Sequence, residues 1–228
     1  MIKVEGLRVA YGRTLALDTI DLVLRPGVTG LFGQNGSGKT TLLRVLGGLL
    51  RPTAGTVRMN ELPVDASNEA FRQRVGYAGH ESGLYPDLTV EENMKLFAQL
   101  YGSPLQRVGE VVAAVGLEDR ADVRVAELSA GLRRRAAVAR ALVHEPDLLL
   151  LDEPYANLDD AAAEQISEAI KAWRRADRCC VVATHGAKRV KPYADASLIL
   201  TRGRVMSYRV RTSDGEPVDA GAVGSRGL

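Results

Sequence analysis

The sequence predicts an α/β fold with a mainly parallel core sheet, an antiparallel β subdomain and a helical subdomain. Three patterns lead there. Short apolar runs alternate with helical patterns in the first and last thirds of the 228 residues, as when helices cover both faces of a parallel sheet. The N-terminal stretch carries period-two alternation, which suits antiparallel strands. The middle third changes to helical spacing.

Taken in order, IKVEGLRVAYGRTLALDTIDLVLRPG reads as antiparallel strands broken by Gly and Asp. VTGLFG is an apolar strand ending in glycine, and the helix pattern KTTLLRVLGGLL follows directly. TVRMN reads as an edge strand closed by a turn. From Leu88 to about Leu117 two helices are expected, LTVEENMKLFAQLYG and SPLQRVGEVVAAVGL, the first opened by a capping box of Thr89 and Glu92. LSAGLRRRAAVARALV is amphipathic, with Leu132, Ala136, Ala139 and Leu142 in register. DLLLLDEP is an apolar strand ending in acids, and DDAAAEQISEAIKAWRRA is the next helix. CCVVATHG, SLILTRG and RVMSYRV supply further strands. These elements form one domain over residues 1–210, with the helical subdomain at about 84–145. Few large apolar residues occur in 211–228, which reads as a loose tail.

Composition narrows the function classes. Hydrophobic residues at 46% and charged residues at 25% are ordinary for a soluble globular protein. A net charge of +2 gives no electrostatic footprint for nucleic acid. The N-terminus lacks the apolar core of a signal peptide. No apolar run approaches the roughly 18 residues that span a bilayer, so any membrane role comes through a partner. Cys179 and Cys180 are adjacent, which offers neither a CxxC pair nor a zinc framework. They read as reduced core residues of a buried strand, in keeping with the cytosol.

Chemistry concentrates at GQNGSGKT, residues 33–40, a full match to G-x-x-x-x-G-K-[ST] between a strand and a helix. Gly33, Gly36 and Gly38 let the backbone turn so that successive N–H groups face phosphate oxygens. With Gln34, Asn35, Ser37, Lys39, Thr40 and Thr41 they form the expected nucleotide-binding set. The helix start adds its positive end. Lys39 reaches the β- and γ-phosphates, and the Thr40 hydroxyl ligates Mg²⁺. In LLLLDE, Asp152 at the strand tip completes the magnesium shell. Glu153 stands where a base or water-orienting group serves γ-phosphate hydrolysis. Together these motifs describe a magnesium-dependent P-loop NTPase.

LSAGLRRRAAVARAL at 128–142, shortly before DLLLLDEP, narrows the reading. The combination resembles the ATP-binding cassette (ABC) ATPases from residue 1 to about residue 210. The resemblance implies the ABC ATPase fold and an ATP-hydrolysing subunit that drives transmembrane permease subunits from the cytoplasmic face of the membrane. It also implies a homodimer or heterodimer of ATPase subunits that sandwiches two ATPs head to tail. Ser129, Ala130 and Gly131 then face the phosphate loop of the other subunit. By the same likeness Tyr11 stacks on adenine, and Asp159 of YANLD lies in the loop crossing the dimer interface. His185 corresponds to the switch histidine that contacts the γ-phosphate. Two residues depart from the LSGGQ-type signature: Ala130 stands for the first glycine and Leu132 for the glutamine.

The stretch GYAGHESGLYPDLTVEEN departs again. Aligned with the family's coupling loop, it puts His80 where a glutamine touches magnesium and attacking water, beside a groove that receives a permease helix. His80, the following ESGLYPDLTVEEN, and LYG look like the ATPase of the cytochrome c maturation haem exporter. Drug, lipid and antibiotic exporters share much of this pattern. A non-transport ABC ATPase acting on DNA or ribosomes usually carries two cassettes, a coiled-coil arm or a basic tail, none visible here. A catalytically silent regulator is the other alternative, disfavoured by Glu153. Neutral imidazole imitates an amide in accepting and donating one hydrogen bond, yet it titrates. Replacing His80 with glutamine is therefore expected to keep ATPase activity and to flatten its profile between about pH 6 and 7.5; a pH-rate series on both proteins checks this.

Overall fold

A computed structural model describes residues 1–65, 67–212 and 216–219. The expected loose tail lies mostly outside these residues. Within it, Arg211 ends a strand and 217–219 form another.

Strand β1 (Ile2–Tyr11) turns at Gly12–Arg13 into β2 (Thr14–Leu24). Alternate residues turn inward on either side of a register shift between Val4 and Leu7, so Ile2, Val4, Leu7 and Val9 are buried. With β4 (Ala54–Met59) and β5 (Leu62–Pro63) these strands make a four-stranded antiparallel sheet ordered β2-β1-β4-β5. TVRMN is therefore not at the edge: the two-residue β5 takes that place, held by Met59 opposite Leu62.

The central sheet begins with β3 (Gly27–Phe32), which leads into α1 (Lys39–Leu46). After α2 (Glu69–Arg72) comes β6 (Val75–Ala78). The helical subdomain follows as α3 (Val90–Leu100), α4 (Gln106–Ala114) and α5 (Ala130–Leu142). The chain returns through β7 (Leu148–Asp152), α6 (Asp160–Trp173), β8 (Cys179–Thr184), α7 (Ala187–Val190), β9 (Ala196–Thr201), β10 (Arg204–Arg211) and β11 (Pro217–Asp219). Seven strands line up as β11-β10-β9-β3-β8-β7-β6. Those from β9 to β6 are parallel, and β10 and β11 are antiparallel additions.

The run LLLL explains how both faces are covered. Leu148 and Leu150 point to α1 and the antiparallel sheet, whereas Leu149 and Leu151 point to α5 and α6. Cys179 and Cys180 divide in the same way between the two cores. Adjacent cysteines are simply the two sides of one buried strand.

Strand β6 escapes the sequence patterns because Gly76 interrupts its short apolar run. The structure shows why glycine stands there: a Cβ at position 76 would lie 2.1 Å from the Ala141 carbonyl of α5. The capping box of α3 forms as expected. Glu92 N–H donates to Thr89 Oγ1 at 3.1 Å, and Thr89 N–H donates to Glu92 Oε2 at 2.8 Å. Just inside, the fully buried Asn93 side chain accepts from Tyr85 N–H at 2.8 Å and donates to the Tyr85 and Thr89 carbonyls at 3.0 and 2.9 Å. That amide pins the chain arriving from His80 onto the helical subdomain. His144, just past α5, donates Nε2–H to the Val75 carbonyl at 3.1 Å and stacks on Tyr101 at 3.9 Å between centroids.

Three outcomes follow for chemical unfolding. Thr89→Ala is expected to cost about 1 kcal/mol, the usual worth of a side-chain cap. Gly76→Ala is expected to cost more, because backbone must move to admit one methyl. Burial holds the His144 imidazole down to about 4, so the unfolded chain takes up its proton first. Stability is lost as pH falls from about 6.5 toward 4, and His144→Gln is expected to flatten that part of the stability–pH curve.

Candidate functional site

The loop between β3 and α1 is shaped by close backbone approach. Gly36 and Gly38 have φ of 75° and 103°, and a Cβ on Gly38 would lie 2.7 Å from the Ala16 carbonyl. Gln34, Asn35 and Gly36 are exposed at the crest, while Thr41 lies half-buried in the first turn of α1. Lys39 is nearly buried at 7% exposure. Its ammonium folds across its own loop, donating to the Gly33 and Gln34 carbonyls at 2.8 and 3.1 Å. Ser37 Oγ is buried without a hydrogen-bond partner. The turn after β9 braces the loop from behind, Gly203 N–H donating to Ser37 O at 2.9 Å.

Beside the loop, Thr40 Oγ1 donates to Asp152 Oδ2 at 2.6 Å. Asp152, the last residue of β7, is 5% exposed. Glu153 follows in the left-handed region at φ 50°, its N–H donating to the Ala183 carbonyl of β8 at 2.8 Å. That turn swings its carboxylate over the end of β8. It accepts there from Thr184 Oγ1 at 3.0 Å, His185 N–H at 2.9 Å and His185 Nδ1 at 3.0 Å. A carboxylate accepts only, so Nδ1 carries the proton. The remainder of the His185 ring stands in solvent, its side chain 72% exposed.

Lys39, Thr40, Asp152, Glu153 and His185 thus converge at the tips of β3, β7 and β8. Tyr11, Ser129, Ala130, Gly131, Asp159 and His80 share no hydrogen bond with these five among the described residues. Tyr11 is 49% exposed at the end of β1. Ser129 caps α5, Oγ accepting from Leu132 N–H at 3.3 Å; Ala130 is exposed in the first turn. Leu132 is half-buried against the core of the helical side. Gly131 faces the loop after β7, where a Cβ would lie 2.8 Å from the Asn157 carbonyl. Asp159 caps α6, Oδ1 accepting from Ala162 N–H at 2.8 Å. His80 is exposed and makes no side-chain hydrogen bond among the described residues. Nor do those residues include a cluster of three or more His, Cys, Asp or Glu able to hold a metal.

Sequence reasoning passed over three side chains that hold the site. Arg134 of α5 donates Nη1–H to the Gly79 carbonyl at 2.6 Å and reaches the Asp152 carbonyl at 3.4 Å. It ties the residue before His80 to the tip of β7. Arg140, two turns on, donates to the Tyr77 carbonyl at 2.6 Å. Thr184 binds Glu153 as described. The only signal was the run of arginines in LSAGLRRRAAVARAL, which reads equally well as a solvated face.

Comparison with known proteins places this geometry. Residues 17–156 match the ABC transporter family. The chain is 36% identical over 209 residues to Nod factor export ATP-binding protein I of Cupriavidus metallidurans, covering 90% of this chain and 69% of that protein. It is 29% identical over 217 residues to the linearmycin resistance ATP-binding protein LnrL of Bacillus subtilis, covering 93% and 70%. The chain spans about two thirds of the length of these curated relatives. Among solved structures, the dimeric post-hydrolysis state of the ATP-binding cassette MJ0796, bound to ADP and Pi, superposes with a TM-score of 0.84. That pair is 26% identical over 92% of this chain and 98% of that one. The chain belongs to the ABC transporter family as an ATP-binding-cassette ATPase.

Proposed function

We propose that the chain is the ATPase subunit of an ABC exporter, working as a head-to-tail pair on permease subunits at the cytoplasmic face. The observation that carries this is the convergence of Lys39, Thr40, Asp152, Glu153 and His185 at the C-terminal ends of the central strands β3, β7 and β8. Lys39 exchanges the Gly33 and Gln34 carbonyls for β- and γ-phosphate oxygens. Ser37 Oγ, buried without a partner, gains one there. Gln34, Asn35 and Thr41 complete the cradle, and Tyr11 stacks on the base. The Thr40 hydroxyl and the Asp152 carboxylate, already 2.6 Å apart, are the hard oxygen donors that suit Mg²⁺. When bound, that ion neutralises charge on the phosphates. Glu153 orients the attacking water and accepts its proton. His185 exchanges its contact with Glu153 for the γ-phosphate. Ser129, Ala130 and Gly131 serve the nucleotide of the partner subunit, with Asp159 at the interface between them. His80 occupies the coupling position, carried on the backbone that Arg134 braces.

Export is supported by the names of the relatives, one concerned with Nod factor export and one with linearmycin resistance. These favour a drug, lipid or antibiotic exporter. Haem export is the second reading and rests on His80 and the stretch that follows it. No helix among the described residues is long and apolar enough to cross a membrane, so membrane contact in this reading is made through the permease.

Glu153→Gln is expected to lower steady-state ATPase activity by about 100-fold or more while ATP drives the variant into a dimer on size-exclusion chromatography. Equal, near-zero rates in wild type and variant would remove the enzyme reading. A monomer that persists with ATP would count against the paired arrangement.

A further inference from the structure

Two segments leave the central sheet side by side, 153–159 after β7 and 185–193 after β8. The Glu153 carboxylate makes the first link between them, with Thr184 and His185. A second link lies further along both. Tyr155, 8% exposed, has its hydroxyl bonded to that of Tyr193 and, at 3.3 Å, to that of Ser167 on α6.

The direction of these bonds is fixed. Ser167 Oγ donates to the Ala163 carbonyl at 3.1 Å, and a carbonyl only accepts. With its one proton committed, Ser167 accepts from the Tyr155 O–H, and Tyr155 in turn accepts from the Tyr193 O–H. Tyr193 therefore heads a relay of three hydroxyls that ends on the backbone of α6. Burial pushes both phenols above their usual range, so both stay neutral donors. The Lys171 ammonium, 5.9 Å from the centroid of the Tyr193 ring, steadies that ring from outside. Arg189 on α7 also reaches across, donating to Asp160 Oδ1 at 2.8 Å, but the Asp160 side chain is 99% exposed. A surface pair of that kind contributes little, which leaves the buried phenols as the second link.

We propose that Tyr155 and Tyr193 are positioning residues for hydrolysis, their hydroxyls clasping the two segments together while the His185 ring leaves Glu153 for the γ-phosphate. This rests on the exchange at His185 given above in the ATPase reading. Departure of the ring removes one of three bonds to the Glu153 carboxylate. The other two, from Thr184 Oγ1 and His185 N–H, survive only while the backbone at 184–185 stays beside the end of β7. Helix α7 is four residues long and leads from His185 toward Tyr193, so a bond at Tyr193 restrains its far end. Glu153 itself stands at φ 50°, a costly conformation that persists only while its surroundings hold it. Without the clasp the carboxylate drifts from the attacking water, and a misplacement of about 1 Å can cost about 100-fold in rate. Lys39 and the phosphate loop are untouched, so ATP binding is preserved.

Tyr193→Phe is the clean variant, because it removes one donor and leaves Tyr155 bonded to Ser167. It is expected to lower kcat about tenfold, with KM for ATP within about twofold of wild type and an unchanged thermal melt. Added to Tyr155→Phe, it should lower kcat no further than Tyr155→Phe alone, since the two changes remove one shared bond. Losses that multiply overturn the proposal, as does a rise in KM that matches the fall in kcat. A slowly exchanging hydroxyl proton, assigned by its absence from Tyr193→Phe, is expected to persist in the NMR spectrum when adenylyl imidodiphosphate and Mg²⁺ are added. Its loss on that addition would show the clasp opening with the switch, and would overturn the proposal. Near-zero turnover in wild type removes the ATPase reading and the positioning role with it. Wild-type turnover in Tyr193→Phe removes the positioning role alone.

Discussion

The parallel pairing of β7 with β8 is the constraint on which the site depends. Asp152 lies opposite Ala183, and the next N–H along the chain, that of Glu153, closes onto the Ala183 carbonyl. One more residue in register would aim both acids into the wrong layer, because side chains alternate across a strand. As it is, Asp152 faces Thr40 from one side of the strand tip, and the left-handed turn at Glu153 sends the second carboxylate to Thr184 and His185. A residue held at φ 50° without being glycine carries a conformational cost. Here three hydrogen bonds to its carboxylate hold it in place.

Helix α5 acts as a second frame, through arginines that grip backbone rather than acids. Arg134 holds Gly79 and reaches Asp152, and Arg140 holds Tyr77. Arg135 donates to the Val115 and Gly116 carbonyls at 3.2 and 2.9 Å, closing the end of α4. A guanidinium offers five donors in a fixed fork, so one side chain can join two segments at once. Carbonyl partners keep these links insensitive to the protonation of any acid. The helical subdomain is thereby tied to the edge strand of the core sheet through β6 and the loop that follows it.

Much of this was legible in the sequence, for identifiable reasons. Phosphate binding needs particular residues at consecutive positions, so residues 33–40 declare themselves. Thr89 and Glu92 declare the start of α3 because a cap satisfies backbone groups within four residues. The split of LLLL and CCVV between two cores follows from strand geometry alone. What could not be read depends on distant partners. Gly76 looks like a break in an apolar run until α5 is seen to press on it. Asn93, Arg134 and Arg140 look like ordinary polar helix residues, and only the fold supplies their carbonyls. The edge position of TVRMN failed because Leu62–Pro63, too short to carry a pattern, pairs beyond it.

The close approach of Gly131 to the Asn157 carbonyl alters how genetic results at the signature stretch should be interpreted. In the paired arrangement proposed above, a substitution there is scored as damage to the neighbouring subunit's nucleotide. In this chain it also dislodges the loop leading to Asp159 in the same subunit. In that arrangement a substitution at Gly131 therefore acts on both subunits, through the partner's nucleotide and through the loop of its own chain. Ala130 carries no such liability, since its methyl is exposed. That difference explains how a methyl is accommodated at 130 while glycine stands at 131.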